Sequence, residues 1–200
     1  MGKKTMQVIR AGEAGRDIRI EMSKIFTDGF YQWLKFFSKD KDKLYRTFAH
    51  MFNLDVFFVV VMNDEIAAIA ACTNNHQPSV TLDVRELRKH LGFIMGSIAY
   101  VVLRNQFEKK QYPFPFTDRM GAIEFVATSE KYRGQGAATK LLSEMMQSTP
   151  YSEYVLEAAD TNESAIKLYE KLGFAEFMRI PHKHSKRSGV NELVYMKRVK

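Results

Sequence analysis

The chain has one cysteine, Cys72, among its 200 residues, so no disulfide can form within it and nothing calls for an oxidising compartment. Cys72 closes the apolar run Ala67 to Cys72, where a buried structural thiol is expected rather than a nucleophile. An apolar leader is missing as well: the amino terminus reads Met1-Gly2-Lys3-Lys4-Thr5-Met6-Gln7. The longest nearly uninterrupted apolar segment, Leu91 to Leu103, is too short to span a bilayer and is broken by Gly92, Gly96 and Ser97. These absences predict a cytoplasmic protein with no membrane partner. Repeats, low-complexity tracts and Pro/Gly/Ser-rich linkers are absent too, and no composition shift divides residues 1–200, which read as a single domain. With 46% hydrophobic and 26% charged residues, the chain has an ordinary globular make-up and length enough to bury a core without staples.

Acid is scarce in places. The formal charge is +7, and between Glu176 and Glu192 no acid occurs while Arg179, Lys183, Lys186 and Arg187 do. A solvated basic surface is one reading. Attraction to a polyanion, either nucleic acid or a phosphorylated cofactor, is the other, and the wide spread of the charge speaks against nucleic acid. The five histidines offer no metal site, since His182-x-His184 lacks a third ligand.

The coarse order of elements is mixed. A first strand is predicted over Met6 to Arg10, then helical segments over Arg16 to Phe37 and Lys41 to Phe52. Phe26, Phe30, Trp33, Leu34 and Phe37 recur at helical spacing and read as a core stripe. Val56 to Met62 and Ile66 to Cys72 form a hairpin through Asn63-Asp64-Glu65. Leu82 to Phe107 is helical in places, and Pro113 and Pro115 close that segment. A strand over Ala122 to Thr128, a helix from Gly136 to Met146, a strand over Glu153 to Ala159 and a helix over Asn162 to Leu172 follow. Strands over Phe174 to Ile180 and Glu192 to Arg198 end the chain. Strands with helical crossovers and hairpins at both ends predict a mixed α/β sheet.

The segment after Thr128 carries the chemistry. Arg133-Gly134-Gln135-Gly136-Ala137-Ala138 delivers a buried strand into a helix whose first residues are almost all small. Glycine leaves no side chain between backbone and ligand, and the first amides of a helix lack internal partners and carry partial positive charge. No acid occurs between Glu130 and Glu144 to satisfy that dipole, while Arg133 and Lys140 add positive charge. The start of the helix is thus left for an external anion, and the Arg133 fork suits a pyrophosphate. A Walker loop does not fit the glycine spacing, and a dinucleotide fingerprint would need a small residue in place of Thr139. A glycine-rich turn that only starts a helix is the alternative.

The pattern Arg-x-x-Gly-x-Ala after a Val-Ala-Thr strand resembles the signature of the GCN5-related N-acetyltransferase superfamily. A second signature of that family resembles Asn162-Glu163-Ser164-Ala165-Ile166-Lys167-Leu168-Tyr169-Glu170-Lys171-Leu172-Gly173-Phe174. The resemblance covers residues 121–175. It implies an acyl-CoA acyltransferase fold with a mostly antiparallel central sheet, flanking helices and, here, a helical insertion over about 73–120 between the third and fourth strands. It further implies transfer of an acetyl group from acetyl-CoA to a primary amine, of a small molecule or peptide, by direct attack in a ternary complex.

In that family the pantetheine arm pairs with a strand matched here by Val126, Ala127 and Thr128. The pyrophosphate is implied on the amides of Arg133, Gly134, Gln135, Gly136, Ala137 and Ala138, with Thr139 adding a hydroxyl. Tyr169 is implied as the acid that protonates the leaving thiolate. It also shares a helical face with Ala165, Leu168 and Leu172, so packing is its alternative role. Asn162 is implied at the pantetheine, and it could equally cap its helix. Glu124 is the candidate general base, through water. Alternation puts it with Ala122, Val126 and Thr128 on one face of a covered strand, where an ion pair with Lys or Arg is the other explanation of a carboxylate.

The insertion departs from the family's usual short connection. Covering the acceptor pocket and packing against a second subunit, as a homodimer, are its two readings. The basic run at Lys183 to Arg187 disfavours strongly cationic acceptors. A catalytically silent acyl-CoA-binding module and a basic nucleic-acid-binding domain complete the alternatives, and Tyr169 argues against the first.

Overall fold

The structure, a computed structural model, describes residues 6–74, 76–182 and 189–200. Among these residues, seven strands form one sheet in the order β1-β2-β3-β4-β5-β7-β6. They are β1 (Gln7–Arg10), β2 (Phe57–Met62), β3 (Glu65–Thr73), β4 (Met120–Thr128), β5 (Glu153–Ala159), β6 (Ala175–Pro181) and β7 (Glu192–Val199). All neighbours pair antiparallel except β4 and β5. Among the described residues, six α-helices flank the sheet: α1 (Arg19–Leu34), α2 (Lys41–Phe48), α3 (Val84–Leu91), α4 (Phe93–Leu103), α5 (Ala137–Ser148) and α6 (Glu163–Lys171).

Local chemistry sets the boundaries. Asn63 and Asp64 have φ of 49° and 61°, the two left-handed positions of a type I′ turn, which pins Met62 opposite Glu65. Asp40 caps α2 by accepting the Lys43 amide at 3.0 Å, so this helix begins at Lys41 as expected. It ends at Phe48, four residues short of the expected limit, because Ala49–Met51 tighten into a 3₁₀ turn. Asp83 caps α3 in the same way, and Gly92, at φ 82°, stops α3 and turns the chain into α4. The apolar stretch from Leu91 is therefore a helical hairpin. Its two arms touch closely: a Cβ on Gly96 would lie 2.6 Å from the Arg88 backbone.

Two cores lie on opposite faces of the sheet. One joins α1–α4 to β2, β3 and β4 through Phe26, Phe48, Phe57, Leu87, Ala99 and Leu103. The other joins α5 and α6 to the sheet through Leu141, Leu142, Met145, Tyr154, Tyr169 and Val194. The insertion contributes α3 and α4 to the first face. The far side of α4 leaves Phe93, Ile94 and Val101 exposed at 70%, 73% and 60%. Of the aromatic stripe, Phe26 and Phe37 are buried, Phe30 packs partly, and Trp33 reaches the surface. No helix among the described residues is long and apolar enough to cross a membrane.

Candidate functional site

A cleft opens between the two parallel strands. β4 and β5 pair only through Met120–Ile123 against Glu153–Leu156. Past that point β4 stays with β3 through Ala127 and Thr128, while β5 stays with β7 through Glu157, Ala158 and Ala159. The residue that turns β4 away is Phe125, whose φ is 53°. Ala71 pairs with Glu124 and Ile69 with Ala127, so Phe125 and Val126 together oppose Ala70 in a bulge. A left-handed aromatic is strained, and packing holds it there. Its ring meets Phe107 at 5.1 Å, Phe26 at 5.7 Å, Phe30 at 6.1 Å and Phe57 at 6.2 Å. Gly29 lets α1 settle on this bulge, since a Cβ there would lie 3.2 Å from the Ala127 Cβ.

The bulge corrects one expectation. Simple alternation puts Glu124 and Val126 on one face, but Val126 packs with the α5/α6 core while Phe125 and Ala127 pack with the α1–α4 core. The extra residue shifts the count by one, and the cleft is consequently lined differently from its two sides.

On the α5/α6 side lies the glycine loop. It is anchored by Tyr132, whose hydroxyl donates to Glu65 at 2.8 Å, and by Lys131, paired with the same carboxylate at 2.7 Å. Gly134 and Gly136 take φ of 70° and 82°, and a Cβ on either would meet nothing within 4 Å. Gly136 sits at the N-cap of α5 with no side-chain cap, and no acid occupies the first turn. Among the described residues, the amides of Gly136, Ala137, Ala138 and Thr139 donate to no backbone carbonyl. Arg133 is exposed and has no carboxylate partner among the described residues, whereas Lys140 is paired with Glu144. The loop's own positive charge thus comes from Arg133 and the helix end. An open, left-handed glycine cradle with unpartnered amides fits a phosphate group.

Tyr169 lies on the same face. It is buried, its ring meets Phe174 at 6.1 Å, and burial pushes its phenol up to about 12. Its hydroxyl makes no hydrogen bond among the described residues, and its oxygen is not sealed from solvent, since the one fully buried side-chain oxygen without a partner there is Thr27 Oγ1. Asn162 caps α6 by accepting the Ala165 amide at 3.3 Å, and Ser164 donates to the same oxygen at 3.1 Å.

On the other face stands Glu124. It accepts the Ser79 hydroxyl at 2.5 Å and the Tyr112 hydroxyl at 2.7 Å. Neither partner is the cation that an ion pair would require, and both belong to the insertion. Burial first, and the Glu124 charge second, push the Tyr112 phenol far up, so it stays a donor. The sequence reading missed Glu157. It is the first β5 residue beyond the last β4 pair, and Tyr154, Leu156 and Ala158 face the opposite core, which turns Glu157 to the Glu124 side. Alternation along Glu153-Tyr154-Val155-Leu156-Glu157 was the available signal. Lys110 pairs with Glu157 at 3.4 Å, and burial together with Glu157 raises the Tyr195 phenol. The Tyr112 ring lies tilted against both Phe114 at 5.4 Å and Phe116 at 5.1 Å, and Phe114 continues onto Phe177 at 5.0 Å and Tyr195 at 5.7 Å. The insertion therefore covers this mouth of the cleft.

Lys183, His184, Lys186 and Arg187 lie outside the described residues. Arg179 is paired with Glu176 at 2.8 Å and Glu192 at 3.0 Å. Among the described residues no cluster of three or more His, Cys, Asp or Glu is placed for a metal. Cys72 is buried, and burial pushes its thiol up to about 12, which removes it as a nucleophile.

The family model described as Acetyltransferase (GNAT) family matches residues 21–174. In sequence the chain is similar to N-alpha-acetyltransferase 30 of Schizosaccharomyces pombe, 40% identical over 67 residues, which are 32% of this chain and 45% of that protein. The chain spans less than half the length of the curated relatives it matches. In fold it is similar to an N-acetyltransferase from Staphylococcus aureus Mu50, with TM-score 0.63 and 18% identity over 96% of this chain and all of that one. It is also similar in fold to a chain of the NatC complex bound to Gag peptide and CoA, with TM-score 0.56 and 13% identity over 98% of both.

Proposed function

Because the chain belongs to the Acetyltransferase (GNAT) family, we propose that it transfers an acetyl group from acetyl-CoA to a primary amine by direct attack across the β4–β5 cleft. The observation that carries this reading is the uncapped glycine cradle at the start of α5, beside a strand pair that separates at a bulge. The amides of Gly136, Ala137 and Ala138 and the Arg133 guanidinium would hold the pyrophosphate, with Thr139 adding a hydroxyl, while the Arg133 amide is already committed to the Glu130 carbonyl at 3.3 Å. The free edge of Val126, Ala127 and Thr128 would take the pantetheine amides, and a bulge N–H would stabilise charge developing on the carbonyl oxygen. Acetyl-CoA, when bound, supplies the activated acyl group. Asn162, already a cap through its oxygen, keeps its amide group for the arm.

The two faces divide the proton work. Tyr169, buried and unpartnered on the α5/α6 side, would protonate the leaving sulfur. Glu124 would take the acceptor's proton through water on the other side, and its two hydroxyl donors hold it in place. Among primary amines, the α-amine of a peptide amino terminus is the class to which the relatives' names point.

Two measurements test the reading. Arg133→Glu weakens acetyl-CoA binding by about 1–3 kcal/mol in calorimetry, as charge-assisted hydrogen bonds are lost. Unchanged affinity in the folded variant removes the loop from the site. Glu124→Gln depresses turnover most near neutral pH, where the acceptor is an ammonium, and the defect shrinks as pH rises toward the amine's own pKa. Rate–pH profiles that run parallel to those of the unmodified protein exclude Glu124 as the base and leave Glu157 as the next candidate.

A further inference from the structure

We propose that Lys110 is an acetylation site that the chain modifies within its own fold, its ammonium standing at the acceptor mouth of the β4–β5 cleft where a substrate amine would stand. The proposal rests on the reading that acetyl-CoA binds in that cleft. Lys110 follows the π-helical turn Arg104–Glu108, on the segment that crosses the mouth. Its Nζ lies 3.4 Å from a Glu157 carboxylate oxygen and 5.0 Å from the centroid of the Tyr112 ring. A carboxylate and an aromatic face are the two groups that recognise an alkylammonium. Both members of the pair are about one-quarter exposed, so the ammonium is neither free in solvent nor sealed in a core. Glu157 follows Leu156, the last β5 residue paired with β4, which puts the pair at the fork itself. Tyr112 in turn donates to Glu124, so one short segment ties down both carboxylates on this face. Lys109, its neighbour in sequence, is exposed and has no ion pair among the described residues.

The step balances without a further reactant. The Lys110 ammonium loses one proton to Glu157 and thence to water. Its nitrogen lone pair attacks the thioester carbonyl carbon of acetyl-CoA, forming the N–C bond as the C–S bond breaks. The electron pair leaves with sulfur, the nitrogen gives up its second proton, and the sulfur takes up one proton to become the CoA thiol. One ammonium and one thioester give one amide, one thiol and one released proton. The acetylated side chain carries no charge, so the segment loses its tie to Glu157, and that carboxylate is left to an incoming amine.

The experiment incubates the full chain with acetyl-CoA and follows acetyl occupancy of Lys109 and Lys110 by peptide mass spectrometry, with acetyl-CoA binding measured in parallel by calorimetry. Lys110 is expected to label at least about tenfold faster than Lys109 because it is held in place. Its rate stays constant when the protein is diluted at saturating acetyl-CoA, and Glu157→Gln slows Lys110 without slowing Lys109. Equal labelling of the two lysines, no labelling of Lys110, or a rate proportional to protein concentration overturns the proposal while calorimetric binding leaves the acyl-CoA reading standing. Absence of calorimetric binding overturns both.

Discussion

Tyr169→Phe lowers the turnover number by about a hundredfold or more, the range in which a positioned proton donor acts, and leaves acetyl-CoA affinity almost unchanged. The substitution keeps the ring and its 6.1 Å contact with Phe174, so only the hydroxyl is lost. That hydroxyl has no described partner to leave unsatisfied, and its removal from a buried site does not itself destabilise the fold. Burial holds the phenol near 12 against an ordinary 10.0, so it is protonated throughout the neutral range. The sign for stability follows: the folded pKa is raised, so the contribution is intact below pH 10 and fades as pH rises toward 12. In the phenylalanine variant this loss is smaller. Steady-state kinetics with saturating acetyl-CoA, beside urea unfolding at two pH values, checks both. An unchanged turnover number with reduced stability assigns Tyr169 to packing alone.

Phe125→Ala has the largest expected effect on stability, about 3–5 kcal/mol, because a ring packed among four other rings is deleted. Alanine also keeps the left-handed strain at φ 53°. Phe125→Gly loses the same ring but removes that strain, worth about 1–2 kcal/mol. Glycine should therefore be the more stable of the two variants, the reverse of the usual order in a strand. Urea unfolding of both decides the matter, and an alanine variant as stable as the glycine one denies that strain is stored at the bulge.

Much of this architecture was legible because it is local. The Asn63-Asp64 turn, the Asp40 cap and the acid-free glycine loop each follow from a few adjacent residues. What the sequence hid depends on contacts between distant segments. Alternation through Glu124 and Val126 failed because Phe125 adopts a conformation stabilised by Phe26, Phe30, Phe57 and Phe107, spread over the chain. An ion pair at Glu124 was a reasonable expectation for a carboxylate on a covered strand, yet Ser79 and Tyr112 reach it from 45 residues upstream and 12 upstream. Glu157 went unremarked because its strand pattern is unexceptional and only the end of β4–β5 pairing gives it meaning. The likeness at 18% identity shows that the overall fold does not need a closely shared sequence.

The way β4 parts from β5 also bears on how the chain is made. β1 to β4 come from residues 7–128 and lie side by side in the order of synthesis, with α1–α4 packed on them. β5, β7 and β6 come from residue 153 onward and meet the earlier strands through only the Met120–Ile123 stretch. The first half-sheet is therefore synthesised ahead of the second, and its edge strand β4 is joined to β5 through the Met120–Ile123 stretch. The cleft lies where an earlier-made and a later-made length of chain part, and a molecule lodged in it would fasten the two together.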